Sequence, residues 1–120
     1  MPFVTVEIVG DLDRAPDGLA QALADACSPA FPPEHREVWV RIHRLSRDDW
    51  AITAPSKSGA LPVFVCVVRE DNPIGNNLKH EVAELSKAVS KVTGRAIESI
   101  CVTYEPSARG RLAFGGKLIR

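Results

Sequence analysis

The chain repeats its own pattern. Pro2-Phe3-Val4-Thr5-Val6-Glu7-Ile8-Val9 corresponds in kind to Pro62-Val63-Phe64-Val65-Cys66-Val67-Val68, each a proline leading into a β-rich run. An acidic, proline-containing turn follows each run, Asp11 to Pro16 and then Glu70 to Pro73. A helical pattern comes next in both halves, and then a second β-rich run, Val38 to His43 and Ile100 to Tyr104. The motifs Arg47-Asp48-Asp49-Trp50 and Arg109-Gly110-Arg111-Leu112 close the two halves. Two strands joined by a crossover helix pair in parallel, with a right-handed connection. The expected fold is therefore α/β: two fused β-α-β units forming a four-stranded sheet with two helices on one face. Repeat 1 spans about 2–59 and repeat 2 about 62–120. The joint, Ala54-Pro55-Ser56-Lys57-Ser58-Gly59, is too short for a flexible interdomain linker, so a single domain over 1–120 is expected.

Periodicity sets the helices. Leu78, Val82, Leu85, Val89 and Val92 make one apolar stripe, with Asn77 as expected N-cap and Gly94 as the stop. The first helix is expected from about Pro16 to Cys27, and the three prolines between Ser28 and His35 exclude regular helix there. In the strands, Val4, Val6 and Ile8 alternate with Phe3, Thr5 and Glu7, as Val38, Val40 and Ile42 do with Trp39, Arg41 and His43. One sheet face is thus apolar and packs under the helices. The other is mixed, which suggests burial against another subunit, with an open solvated face as the alternative.

Composition excludes several classes. Fifteen basic and fifteen acidic residues give no net charge to attract nucleic acid or an anionic membrane. No apolar run approaches the roughly 20 residues that cross a bilayer, and MPFVTVEIVG lacks the features of a signal peptide. Cys27, Cys66 and Cys101 form no CxxC pair, and with His35, His43 and His80 they show no metal spacing. Three reduced core thiols in a cytoplasmic protein are expected, with no metal. Gly115-Gly116 reads as a hairpin turn, since no phosphate-loop pattern surrounds it.

Proline at position 2, leading into a duplicated β-α-β pattern, resembles the tautomerase superfamily over nearly the whole chain. That superfamily includes fused 4-oxalocrotonate tautomerase, malonate semialdehyde decarboxylase and the macrophage migration inhibitory factor group. Arg109 to Gly116 looks like the terminal hairpin of 4-oxalocrotonate tautomerase. Arg47 to Trp50 looks like the decarboxylase and dehalogenase relatives, and Ala15 to Gly18 is similar to migration inhibitory factor. The resemblance implies a homotrimer. It also implies that loss of Met1 leaves Pro2 as a secondary amine able to move a proton next to a carbonyl without a cofactor. Pro62, locked in an amide, has no such role.

By the same resemblance, Arg69 binds the carboxylate of a small 2-oxo acid. Arg41 stands two residues beyond Trp39, which occupies the place of a family arginine. Glu37 lies where decarboxylase relatives carry an acid, and Trp50 and Leu112 lie where the family builds an apolar wall. The leading expectation is a tautomerase or isomerase of small 2-oxo (enol) acids, with Pro2 as general base. One alternative is a cofactor-free decarboxylase or hydratase in which Pro2 acts as an acid with Glu37 assisting. The other is a non-catalytic trimeric binding module, because Asn72 and Pro73 stand where a second arginine follows Arg69 in the family.

Overall fold

The computed structural model describes residues 1–54 and 59–120. The middle of the joint between the repeats therefore lies outside the described residues. The order is β1 (Phe3–Val9), α1 (Leu19–Cys27), β2 (Trp39–Leu45), β3 (Val63–Val68), α2 (Gly75–Thr93), β4 (Ile100–Tyr104) and a short hairpin of β5 (Ala113–Phe114) and β6 (Lys117–Leu118). The main sheet runs β2-β1-β3-β4. Each half is a parallel pair, Phe3 beside Trp39 and Val63 beside Ile100.

The two halves meet antiparallel. Phe3 lies opposite Val68 and Ile8 opposite Val63. A parallel joint between the halves would have put Arg69 and Pro2 at opposite ends of the sheet. The antiparallel joint is what sets the beginning of β1 against the end of β3. Two equivalent units related by a twofold axis can share one continuous sheet only if their central strands run in opposite directions.

Alternation builds the core as expected. Val4, Val6 and Ile8 of β1 and Val63, Val65 and Val67 of β3 are buried. They pack with Leu19, Leu23 and Cys27 of α1, with Leu85 and Val89 of α2, and with Phe31. Burying such side chains contributes roughly 1.5–3 kcal/mol each, before conformational entropy is charged against it. On the opposite face Phe3, Trp39 and Phe114 form an aromatic trio with ring centroids 5.2–5.6 Å apart. Trp39 in this trio remains 49% exposed.

Two helix starts differ from expectation. Helix α1 begins at Leu19, because Gly18 adopts a left-handed conformation (φ 66) that breaks the chain direction after Pro16. Helix α2 begins at Gly75, before Asn77, and its capping position Ile74 supplies no side-chain bond. Gly94 ends α2 with φ 75 and its N–H on Ser90 O, as a left-handed C-terminal stop does. The prolines after α1 form two 3-10 turns, Ser28–Ala30 and Pro33–His35, the second of which carries His35 toward Pro2. Only Cys27 is a core thiol. Cys66 is half-buried and Cys101 is exposed, because both occupy the face of the sheet away from the helices.

Candidate functional site around Pro2

Pro2 is buried at the head of β1, and its carbonyl accepts the Trp39 N–H at 3.0 Å. The residue is thereby held by a main-chain bond to the neighbouring strand. Beside it lies a small cavity of about 60 Å³, walled by Met1, His35, Arg69, Glu70, Asp71 and Arg109. With Met1 in place that is about the space of two waters. Past His35, Arg69 and Asp71 a wider cleft of about 530 Å³ opens between the proline turns and the start of α2.

Arg69 is the buried cation of the site, at 6% exposure. Its Nη1 donates to Glu81 Oε1 at 2.9 Å, and its guanidinium carbon lies 5.5 Å from the centre of the Phe31 ring. Glu81, also buried, accepts from the Tyr104 hydroxyl through its other oxygen. Burial and the Glu81 carboxylate together push the Tyr104 hydroxyl well above its ordinary pKa, so it stays a donor. The guanidinium is therefore fixed by a carboxylate on one side and an aromatic face below. Its other nitrogens make no further hydrogen bond among the described residues.

Arg109 is held differently. Its backbone N–H bonds Glu70 O at 3.0 Å, as Ala108 N–H bonds Arg69 O at 2.9 Å, so the segment before the hairpin continues the sheet beside β3. Its Nε then reaches both Asp71 oxygens, at 3.0 and 2.9 Å, and its Nη2 reaches Glu70 Oε2 at 3.3 Å. These contacts hold the Asp71 carboxyl below its usual pKa. The α-amino group of Met1 lies 3.9 Å from Glu70 Oε1. The cavity wall thus carries two cations, Arg69 and Arg109, against two anions, Glu70 and Asp71.

The equivalent end of the second half carries an arginine clamp, beside a hollow of about 490 Å³ lined by Gly10, Asp11, Arg47 and Leu61 but not by Pro62. Arg95, just after α2, donates to the carbonyls of Leu61, Val9 and Asp11 at 2.9, 2.8 and 3.1 Å, and more weakly to Pro62 O at 3.5 Å. The duplication therefore leaves an open cavity at Pro2 and an arginine clamp at Pro62.

Of the residues expected from sequence, the structure brings Pro2 and Arg69 to one cavity. Trp39 and Arg41 lie on the helix-free sheet face, where they border a separate hollow of about 190 Å³ with Phe3. Arg41 Nε donates there to Thr5 Oγ1 at 3.1 Å. Glu37 is exposed just ahead of β2. Trp50 follows the turn Arg47–Asp49 beyond Leu45, which pairs with Val9, so it sits at the other end of β1 from Pro2, roughly 20 Å along the strand. Leu112 is half-buried at the base of the hairpin, where its carbonyl accepts from Ile119 N–H at 2.8 Å. Neither Trp50 nor Leu112 lines the cavity of its own chain.

Asn72, in place of a second arginine, tethers the loop after β3. Its N–H donates to Ser107 Oγ and its Nδ2 to Glu105 O, while its buried Oδ1 has no partner among the described residues. Sequence reasoning did not select His35, Glu70, Asp71, Glu81, Tyr104 or Arg109. Glu81 carried a signal, because it stands four residues before Leu85 and eight before Val89 on the buried stripe of α2. A carboxylate on a core face needs a buried cation. Among the described residues no cluster suited to a metal ion occurs, and no helix is long and apolar enough to cross a membrane.

No protein-family model and no curated protein matches the chain. Solved structures do match. A fused 4-oxalocrotonate tautomerase, a symmetric trimer, is 21% identical with a TM-score of 0.70, over 97% of this chain and 94% of that one. The second macrophage migration inhibitory factor of Leishmania major is 20% identical with a TM-score of 0.64, over 98% and 97%. A malonate semialdehyde decarboxylase is 14% identical with a TM-score of 0.65, over 94% and 90%. All three are tautomerase superfamily structures. At these identities the likeness is one of fold: the chain has the α/β fold of that superfamily, a four-stranded sheet carrying two helices.

Proposed function

We propose that this chain is a cofactor-free enzyme of the tautomerase superfamily that tautomerises small 2-oxo (enol) carboxylic acids, with Pro2 as the general base once Met1 is removed. The observation that carries this reading is a buried Pro2 sharing one small cavity with the buried Arg69 guanidinium. Arg69 holds the substrate carboxylate. For an enol acid, the neutral proline amine takes the hydroxyl proton as the carbonyl forms. The resulting ammonium returns a proton to carbon, and the amine is restored. The small cavity admits the reacting carbons while limiting water.

Glu70 motivates a second reading. Glu70 lines the same cavity as Pro2, and a carboxylate beside the Pro2 amine favours its ammonium form. A proline that stays charged serves a decarboxylase or hydratase as an acid instead. The pH–rate profile separates the two: activity rising with pH marks the base, and activity falling with pH marks the acid.

The same reading includes a homotrimer that covers the helix-free sheet face. The exposed Trp39 beside Phe3 and Phe114 supports it, as does the trimeric assembly of the fused 4-oxalocrotonate tautomerase. Light scattering should give about three times the 13.0 kDa chain mass, and a monomeric mass would remove the trimer.

The test of function is ketonisation of phenylenolpyruvate, followed by ultraviolet absorbance, on protein whose intact mass shows Met1 absent. A rate well above solvent that is lost in Pro2→Ala is expected. Full rate in Pro2→Ala would sink both proline readings and leave a fold used for binding alone.

A further inference from the structure

We propose that His35 binds the 2-oxygen of the substrate while Arg69 holds the adjacent carboxylate, an inference that rests on the proline-and-Arg69 reading above. A 2-oxo acid carries these two groups on neighbouring carbons, so a site that takes both needs two donors side by side. His35 and Arg69 are such a pair. Both line the cavity at Pro2, and both line the wider cleft that opens from it. Asp71 shares those two walls, but an ionised carboxylate has no donor for an oxygen that gains negative charge.

The backbone under His35 is fixed and its ring is free. His35 ends the 3-10 turn Pro33–His35, entered through Pro32, and its N–H bonds Pro32 O at 2.8 Å. On the next residue, Arg36 O accepts from Ser28 Oγ at 2.8 Å and Arg36 Nε donates to Phe31 O at 3.0 Å. None of these bonds involves Met1, so loss of Met1 leaves the turn in place. The imidazole is half-buried and makes no hydrogen bond among the described residues. A fixed mount carrying an unpaired donor costs little to reorganise when a ligand arrives.

The chemistry gives that donor a task. When phenylenolpyruvate gives its hydroxyl proton to Pro2, an O–H bond breaks, an N–H bond forms and negative charge spreads over the 2-oxygen and C3. A ring N–H on the 2-oxygen stabilises that charge. The ammonium then passes its proton to C3, and the 2-oxygen remains as the carbonyl. His35 neither gains nor loses a proton over the cycle. Arg109 also faces the cavity, but its Nε and Nη2 are held by Asp71 and Glu70, which leaves Nη1 as its unbonded donor.

The experiment measures inhibition of phenylenolpyruvate ketonisation by benzoylformate and phenylacetate, on protein lacking Met1. Benzoylformate is a 2-oxo acid with no hydrogen to enolise, and phenylacetate has CH2 in place of its carbonyl. The natural chain should bind benzoylformate tighter by about fivefold or more. His35→Ala should erase that preference by weakening benzoylformate alone, and should lower kcat by about tenfold or more. His35→Gln keeps an N–H donor and should recover part of both. The ratio is read on one folded protein, so a change in stability does not move it. No preference in the natural chain, or equal weakening of both inhibitors in His35→Ala, overturns the inference and leaves the proline reading intact. So does a preference that survives His35→Ala and disappears in Arg109→Met, which would give the oxygen to Arg109. If the natural chain ketonises no faster than Pro2→Ala, the proline reading itself falls and takes this inference with it.

Discussion

Arg69 and Glu81, twelve residues apart in the chain, form a buried ion pair at 2.9 Å that joins the end of β3 to the core face of α2. Their side chains are 7% and 4% exposed, so each charge has little water as an alternative partner. A buried pair of this kind is weak evidence for stability, yet breaking it on one side is costly. Glu81→Ala is expected to destabilise the chain by about 3–5 kcal/mol, read as a lower urea midpoint. Arg69→Met with Glu81→Leu should recover most of that stability while losing substrate binding. Recovery of both would show that the pair has no role at the site.

Glu70 should tune the Pro2 amine. Removing a carboxylate that favours the ammonium form lowers the amine pKa. In Glu70→Gln the rising limb of kcat/KM against pH should therefore move to lower pH, by about one unit or less. A shift to higher pH, or none, would show that Glu70 does not act on the amine.

Arg95 should matter to stability and not to chemistry. It satisfies main-chain carbonyls at the Pro62 end of the sheet, away from Pro2. Arg95→Met strips those acceptors of a charged donor, at a cost of about 2–4 kcal/mol. Activity per folded molecule should stay near that of the natural chain, compared after denaturant titration fixes the folded fraction.

The cysteines should label in order of access. Burial pushes the Cys27 thiol up to about 11, so it should resist alkylation at neutral pH until the chain unfolds. Cys101 is exposed on the helix-free face of β4 and should react first in the isolated chain. In a trimer that covers this face it should be protected, and protection should fade on dilution. Rapid labelling at every concentration would leave that face open.

Asp71 offers an acid test of the Arg109 pair. Its carboxyl is depressed below the ordinary 3.8 by the Arg109 guanidinium, so any contribution to stability is present above that value. The contribution is lost as pH falls through the depressed one. Titration of the Asp71 carboxyl by NMR should show a midpoint below 3.8, returning toward it in Arg109→Gln.

Much of the architecture was legible in the residues, because the signals are local. The paired prolines, the period-two strands and the stripe of Leu85 and Val89 each report on their own neighbourhood. They gave the two β-α-β units, the buried and open faces of the sheet and the turn at Gly115-Gly116. The Cys101 thiol was misplaced because a free cysteine in a β-rich run has no mark that says which face it occupies. Only the register with β3, where Cys101 sits beside Phe64, assigns it to the helix-free side.

The site was half legible. Pro2 and Arg69 could be named from pattern and resemblance, because each sits at a strand end. Their meeting could not, since it depends on β1 and β3 running antiparallel. Periodicity within one strand carries no information about the direction of its neighbour. The same holds for Arg109 against Asp71, Tyr104 against Glu81 and Arg95 against Val9, contacts 38, 23 and 86 residues apart in sequence. The sequence by itself determined the repeated units, the faces they bury and the proline at the chain's head. Only the tertiary structure decided which charges surround that proline, because an ion pair is set by distance in space and the chain brings those residues together only when the sheet closes.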